Sequence, residues 1–357
     1  MRGSDLRLPS LTGLRFLAAL AVFGFHLNAL GLFGGGPAES VVGLLFGPGA
    51  IGVSFFFVLS GFVLTWSARP DDTAASTWRR RAARVFPNHV VTWSLAVVGL
   101  LLLGVHDVSP LAVVLGLLLV QAWIPVPDVY FAVNTPAWSL SCEVAFYAAF
   151  PLLLKGIDAV RSRWLWPLAC ALVLGVLLVP VAAMPLSDGA AYWLVYICPL
   201  TRVLEFALGM VMAKIVQRGR WIGVKALPAF GLFLLAYFGS AHLPGTFGYV
   251  AATIVPLALL IPAAAVADVD GVRSVWSSRV AVRLGELSFA FYLVHHAVIR
   301  TLAEALEETG FRGPPAAVAA GVMLLVSLGA AWLLHRFVER PAYRLLARGR
   351  GQPVQAV

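Results

Sequence analysis

The sequence predicts an all-α polytopic integral membrane helical bundle of about ten transmembrane helices plus one short or re-entrant segment. Three observations predict it. Hydrophobic residues make up 60% of the 357-residue chain and charged residues only 12%, against roughly a quarter charged in an ordinary soluble domain. Apolar runs of about 17 to 25 residues, each long enough to cross a hydrocarbon layer, recur from near residue 11 to near residue 335. Lys and Arg gather in short segments between those runs, at 79–84, 214–225 and 336–350, which is the positive-inside pattern. A large soluble domain would need amphipathic helices and more polar surface than this chain supplies.

The candidate segments, in order, are 11–31, 49–66, 89–105, 111–124, 139–154, 165–184, 191–213, 227–241, 248–266, 284–303 and 315–335. The first carries Arg15 and His26 and shows no small-residue cleavage pattern, so it is expected to stay rather than be removed as a leader. Placing Arg2 and Arg7 inside also puts Arg79, Arg80, Arg81 and Arg84 inside. Working backwards from Arg336, Arg340, Arg344, Arg348 and Arg350 places Lys155, Arg161 and Arg163 inside as well. These counts agree only if one segment between 89 and 154 does not cross. The weakest is 111–124, which is short and followed by Pro125, Pro127 and Pro136, so it is expected to be re-entrant or interfacial. Ten spans and two cytoplasmic termini follow, with Trp138 to Glu143 near the outer surface. The 33 glycines and 22 prolines suit closely packed membrane helices. The net charge of +9 is explained by the loops, without nucleic acid. Cys142, Cys170 and Cys198 have no metal-like spacing and read as small hydrophobes.

An ionisable side chain inside a membrane helix needs a partner, an interface or a function. Arg15 and His26 are eleven residues apart, about three helical turns, so they share a face with roughly 16 Å of rise between them. They read either as a snorkelling Arg with a bundle-bonded His, or as two members of a polar active-site seam. Ser139, Glu143 and Tyr147 form an i, i+4, i+8 stripe, and Glu143 is either an interfacial carboxylate or the partner of an imidazole. Arg202 and Glu205, one turn apart, suit a mutual salt bridge. Ser288 and His295 share a face of the tenth segment with Tyr292 nearby, while His296 lies on a different face. The run Arg79 to Arg84, followed by Pro87 and His89, is either a topology signal or a phosphate-binding cluster at an inner mouth.

Four stretches carry a resemblance: Leu11-Thr12-Gly13-Leu14-Arg15-Phe16 through His26; Phe55 through Phe62; Trp138-Ser139-Leu140-Ser141-Cys142-Glu143 through Tyr147; and Ser288 through His295. The chain resembles the bacterial membrane acyltransferase type 3 family, whose members include O-acetylases of surface saccharides and macrolide O-acyltransferases. The resemblance covers nearly the whole chain. It implies a single membrane-embedded domain over 1–350 with a short tail at 351–357, in the bacterial cytoplasmic membrane. It implies transfer of an acyl group from acyl-CoA, acetyl or another short chain, to a hydroxyl, with no metal. It assigns His26 and Glu143 to catalysis, with Glu143 orienting His26 or stabilising its protonated form; an acyl-histidine relay stays open beside direct transfer. Arg15, Arg80 and Arg84 are assigned to the donor, while Arg202, Glu205, Ser288 and His295 form a substrate or structural polar network.

Histidine, with a reference pKa near 6.5, suits removal of a hydroxyl proton at neutral pH. The opening Leu-Thr-Gly-Leu-Arg-Phe and the Ala- and Gly-rich composition resemble the antibiotic-modifying branch, and the expectation that no extracytoplasmic domain follows the last span removes one clue for saccharide modification. A macrolide is therefore the expected acceptor and a cell-surface saccharide the alternative. A transporter using Arg, His and Glu as a relay is a third reading, but no clear inverted pair of broken segments supports it. A non-catalytic membrane subunit is a fourth.

Overall fold

The computed structural model describes residues 7–34, 36–102, 104, 107–308 and 316–347. Arg2, Arg348, Arg350, the tail at 351–357 and residue 315 of the last predicted span lie outside these, as do two positions near the end of the third. The described residues form helices joined by turns, with the order α1 Pro9–Ala29, α2 Pro37–Phe46, α3 Gly52–Ser67, α4 Ala74–Leu102 and α5 Pro110–Leu117. There follow the single turn α6 Pro127–Tyr130, then α7 Trp138–Ala159, α8 Leu165–Ala183, α9 Asp188–Tyr192 and α10 Pro199–Gln217. The chain continues through α11 Ala226–Gly239, α12 Ile254–Val269, α13 Arg279–Glu308, α14 Ala316–Leu334 and α15 Arg340–Leu346.

Proline starts several of these helices, in α1, α2, α5, α6 and α10, where its missing N–H and fixed φ cost nothing. Seven stretches are long and apolar enough to cross a membrane: Pro9–Ala29, Pro37–Ser67, Ala74–Leu102, Thr135–Ala159, Ser162–Ala183, Asp188–Gln217 and Ala316–Leu346. The apolar helices Ala226–His242 and Ile254–Val269 are shorter. The 30-residue α13 carries charge at both ends and an apolar middle. The protein is thus an all-α, multi-pass membrane bundle.

The segment expected not to cross is built differently from its neighbours. Its only α-helix, α5, has eight residues, about 12 Å of rise against a hydrocarbon thickness of ~30 Å. Leu119 then adopts a positive φ of 56° and a 3-10 turn follows at Gln121–Trp123. The end of α5 is held from α4, where His89 Nε2 donates to the carbonyls of Gly116 and Leu117 at 3.1 and 3.2 Å. The Gly116 carbonyl also accepts the backbone N–H of Leu119 at 3.2 Å, and the buried imidazole adds a second donor at this helix terminus.

Two crossings form the centre. α10 packs along α3 more extensively than any other helix pair, and α1 packs on α13. A Cβ on Gly61 would collide with the carbonyl of Phe206, and one on Gly209 with that of Val58. Each helix therefore presents glycine to the other's backbone, the small-residue contact through which membrane helices gain van der Waals packing. Gly285 of α13 meets Thr12 of α1 in the same way. Beside the first crossing, Arg202 and Glu205 form an i, i+3 ion pair with 1% of each side chain exposed. Arg202 also donates to Ser54 Oγ at 3.2 Å and lies over the rings of Phe57 and Tyr196. In low dielectric this set of partners is what allows a buried guanidinium.

Candidate active site

α1 and α13 run side by side, and their contact brings two histidines together that are 269 residues apart in sequence. His26 sits in the last turn of α1, and its Nδ1 lies 2.9 Å from His295 Nε2. His295 is fully buried, and its Nδ1 is 2.8 Å from the carbonyl oxygen of Tyr292. A carbonyl can only accept, so His295 carries its proton on Nδ1 and, when neutral, offers a lone pair on Nε2. His26 Nδ1–H then donates to it, which leaves the lone pair of a neutral His26 on Nε2. The ring of His295 is stacked on Phe291, and His296 meets His26 edge-on with centroids 4.8 Å apart. Packing thus fixes the orientation of the pair.

His26 also lines a cavity of about 230 Å³. Val22, Phe25, Ala50 and Val53 contribute apolar lining, while Thr135, Trp138, Tyr192, Tyr196 and Tyr292 bring rings and hydroxyls. Tyr292 Oη is 2.9 Å from Ser139 Oγ, and Ser139 in turn donates to the Pro136 carbonyl. Just before these residues, Asn134 donates to the Leu293 carbonyl at 3.3 Å and ties the turn ahead of α7 to α13. A group with a free imidazole lone pair at a partly apolar cavity can accept a proton from a hydroxyl placed there.

Glu143 does not complete this pair. The Tyr147 hydroxyl donates to its Oε2 at 2.7 Å, and its electrostatic neighbours are Arg15, Arg84 and Arg81. The expected orientation of His26 by Glu143 is therefore replaced in the structure by His295: α13, not α7, reaches the imidazole. The stripe Ser139, Glu143, Tyr147 is real but divided, with Ser139 bonded to Tyr292 of the cavity wall and the other two farther along α7. Arg15 belongs to this second centre as well, within electrostatic reach of Arg84, Glu339, Glu143 and Tyr147. Arg15 and His26 share a face, yet they serve two centres separated by about 16 Å of helical rise.

The remaining predicted residues separate clearly. Arg84 lies in this second centre, whereas Arg80 turns to Asp72, to which it is ion-paired at 2.7 Å. Arg202 and Glu205 hold the α3–α10 crossing from within. Ser288 is buried and donates to the Gly285 carbonyl at 2.7 Å; it satisfies its own helix and does not join His295.

Three participants were not nominated from sequence. Glu339 accepts from Asn88 Nδ2 at 3.0 Å and lies 3.2 Å from His335 Nδ1, adding a second carboxylate to the arginine centre. Its position inside a basic run hid it, and the π turn His335–Glu339 breaks the period that would have placed it. Tyr192 and Tyr196 reach the cavity from α9 and the π turn Trp193–Ile197, where aromatic residues in an apolar run carry no distinguishing signal.

Comparison with known proteins bears on this arrangement. A family described as an acyltransferase domain matches residues 8–336. The chain is 42% identical over 366 residues to the acyltransferase MdmB of Streptomyces mycarofaciens, covering 97% of this chain and 94% of that protein. It is 30% identical over 314 residues to the exopolysaccharide production protein ExoZ of Rhizobium meliloti (strain 1021), covering 86% and 93%. No solved structure matches it.

Proposed function

Because the chain belongs to the acyltransferase family that matches most of its length, and moves an acyl group from acyl-CoA to a small-molecule or glycan hydroxyl, we propose that His26 is its general base and a macrolide its acceptor. The observation that carries the catalytic assignment is the His26–His295 hydrogen bond at the wall of the cavity. In this reading the acceptor hydroxyl gives its proton to His26 Nε2 while its oxygen attacks the thioester carbonyl. A C–O bond forms, the C–S bond breaks, and the departing thiolate takes the proton back from His26. His295 positions His26 by accepting from Nδ1. No metal enters these steps.

The donor, an acetyl or other short-chain acyl-CoA, is read as anchored by Arg15 and Arg84, whose guanidinium groups pair well with phosphates; Glu143 positions them. We read the chain as crossing ten times, the three shorter or more charged helices α11, α12 and α13 together with the seven apolar stretches. Both termini are then cytoplasmic, in a bacterial inner membrane, and the single domain extends over residues 1–350. The arginine centre faces the cytoplasmic supply of CoA esters, and the histidine pair lies towards the opposite end of α1.

A macrolide is supported by the Streptomyces relative and by a cavity in which apolar and aromatic side chains predominate. A surface saccharide is the second reading, favoured by the likeness to a protein named for exopolysaccharide production. Mass spectrometry of products after offering acyl-CoA with macrolides and sugars separates them: ester on a macrolide is expected, and ester on sugars alone would replace it. For the base, His26→Gln keeps hydrogen-bonding capacity but cannot take the proton. It should insert, bind acyl-CoA and lose turnover by about 10² to 10⁴. Retention of more than about a tenth of wild-type turnover, set against that expected loss, would make His26 merely positional.

A further inference from the structure

The cavity at His26 is too small for a whole acceptor. At about 230 Å³ it falls below the ~300–1,000 Å³ typical of pockets that enclose a complete small molecule. It has room for the reacting ends only: the acyl group and the carbinol it is transferred to. Its lining is partly aliphatic and elsewhere mixed, with Phe131, Pro136 and Trp138 beside the hydroxyl-bearing residues. Val22, Ala50 and Val53 are aliphatic and come from α1, the turn Gly47–Ile51 and α3, whereas Thr135, Tyr192 and Tyr292 carry hydroxyls and come from elsewhere in the chain.

The aliphatic side cannot retreat. A Cβ on Gly49 would run into the Ala21 carbonyl, and one on Gly52 into that of Ala18, so the turn rests directly on the backbone of α1. From the other direction the Tyr196 hydroxyl donates to the Ala50 carbonyl at 2.9 Å. Ala50 and Val53 are 6% and 3% exposed, with no slack behind them. Interiors packed this way do not deform to admit an extra methylene.

We propose that Ala50 and Val53 form the floor of an acyl pocket and set the length of the chain this enzyme transfers. The inference rests on His26 acting at this cavity. A larger side chain at residue 50 shortens the pocket from the turn, and a smaller one at residue 53 lengthens it from α3.

The test is a competition in detergent, with acetyl-, propionyl- and isovaleryl-CoA offered together with a macrolide acceptor and the esters resolved by mass. Ala50→Leu should lower the isovaleryl-to-acetyl product ratio at least tenfold, since one methylene in a rigid apolar pocket discriminates by roughly 10- to 200-fold. Val53→Ala should raise that ratio, and it decides the question alone if Ala50→Leu does not reach the membrane. Ratios unchanged in the variants that do insert, or an equal loss with every donor, would overturn the acyl floor while leaving His26 as base intact. Ester formation that survives His26→Gln would instead remove the premise and this inference with it.

Discussion

Arg80 and Arg84 stand one helical turn apart in α4, and in sequence nothing distinguishes them. The structure gives Arg80 its own carboxylate, Asp72, near the exposed start of the helix, while Arg84 joins Arg15, Glu143 and Glu339. An arginine already neutralised at the surface has less to give a phosphate. Arg84→Ala is therefore expected to raise the donor KM by roughly ten- to a hundredfold, the equivalent of one charge-assisted contact of about 1.5–3 kcal/mol. Arg80→Ala should raise it by only a few-fold. Coenzyme A release at varied acyl-CoA measures both; equal rises would show that the Asp72 ion pair does not separate them, and an unchanged KM with lost abundance would return the pair to a topological role. Helical period was enough to put Arg15 and His26 on one face, and a buried Arg-x-x-Glu pair was legible from its spacing. What period could not supply was the neighbour across the bundle. His26 finds His295 and Asn88 finds Glu339 over separations of 269 and 251 residues. Such contacts depend on which helices adjoin, and one chain's hydropathy does not encode that.

At the scale of elements, the central question is how α3 and α10 approach so closely. Gly61→Ala would drive a methyl into the Phe206 carbonyl, and overpacking of this kind costs about 1–3 kcal/mol. The variant should denature at lower temperature in detergent, while Gly231→Ala, on a surface with open space around it, should match the wild type. If both variants behave alike, the close crossing contributes little to stability. The elements themselves were the most readable level, because length and apolarity decide whether a membrane helix exists. The short segment at 111–124 was recognised by its prolines and by charge parity, and it is an eight-residue helix followed by a turn. Helix extents were less readable: α4 begins at Ala74 and α13 extends over Arg279–Glu308, well outside the apolar runs. Backbone hydrogen bonding continues a helix past the membrane edge, where hydropathy no longer records it.

For the whole molecule, the two centres lie along one seam: the arginines towards one end, the histidines and the cavity towards the other, with α1 and α7 contributing to both. On the proposed reading, a donor held at the arginines and an acceptor at the cavity meet inside the bundle without either crossing it. The arrangement also places a demand on the chain that composition does not express. In the stretch Ala316–Leu346 the helix widens to a π turn at His335–Glu339, so it carries one residue more than a regular α-helix would need there. Deleting Phe337, whose side chain is 64% exposed, leaves the polarity of the stretch almost untouched. The helix would then close to its ordinary pitch and lose the widened turn in which Glu339 meets both Asn88 and His335. The deletion is expected to raise the donor KM more than Phe337→Ala does, and equal values would show that the turn is dispensable. At this helix, insertions and deletions should be excluded even where almost any apolar substitution is accepted, so that the count of residues is under tighter constraint than their identity.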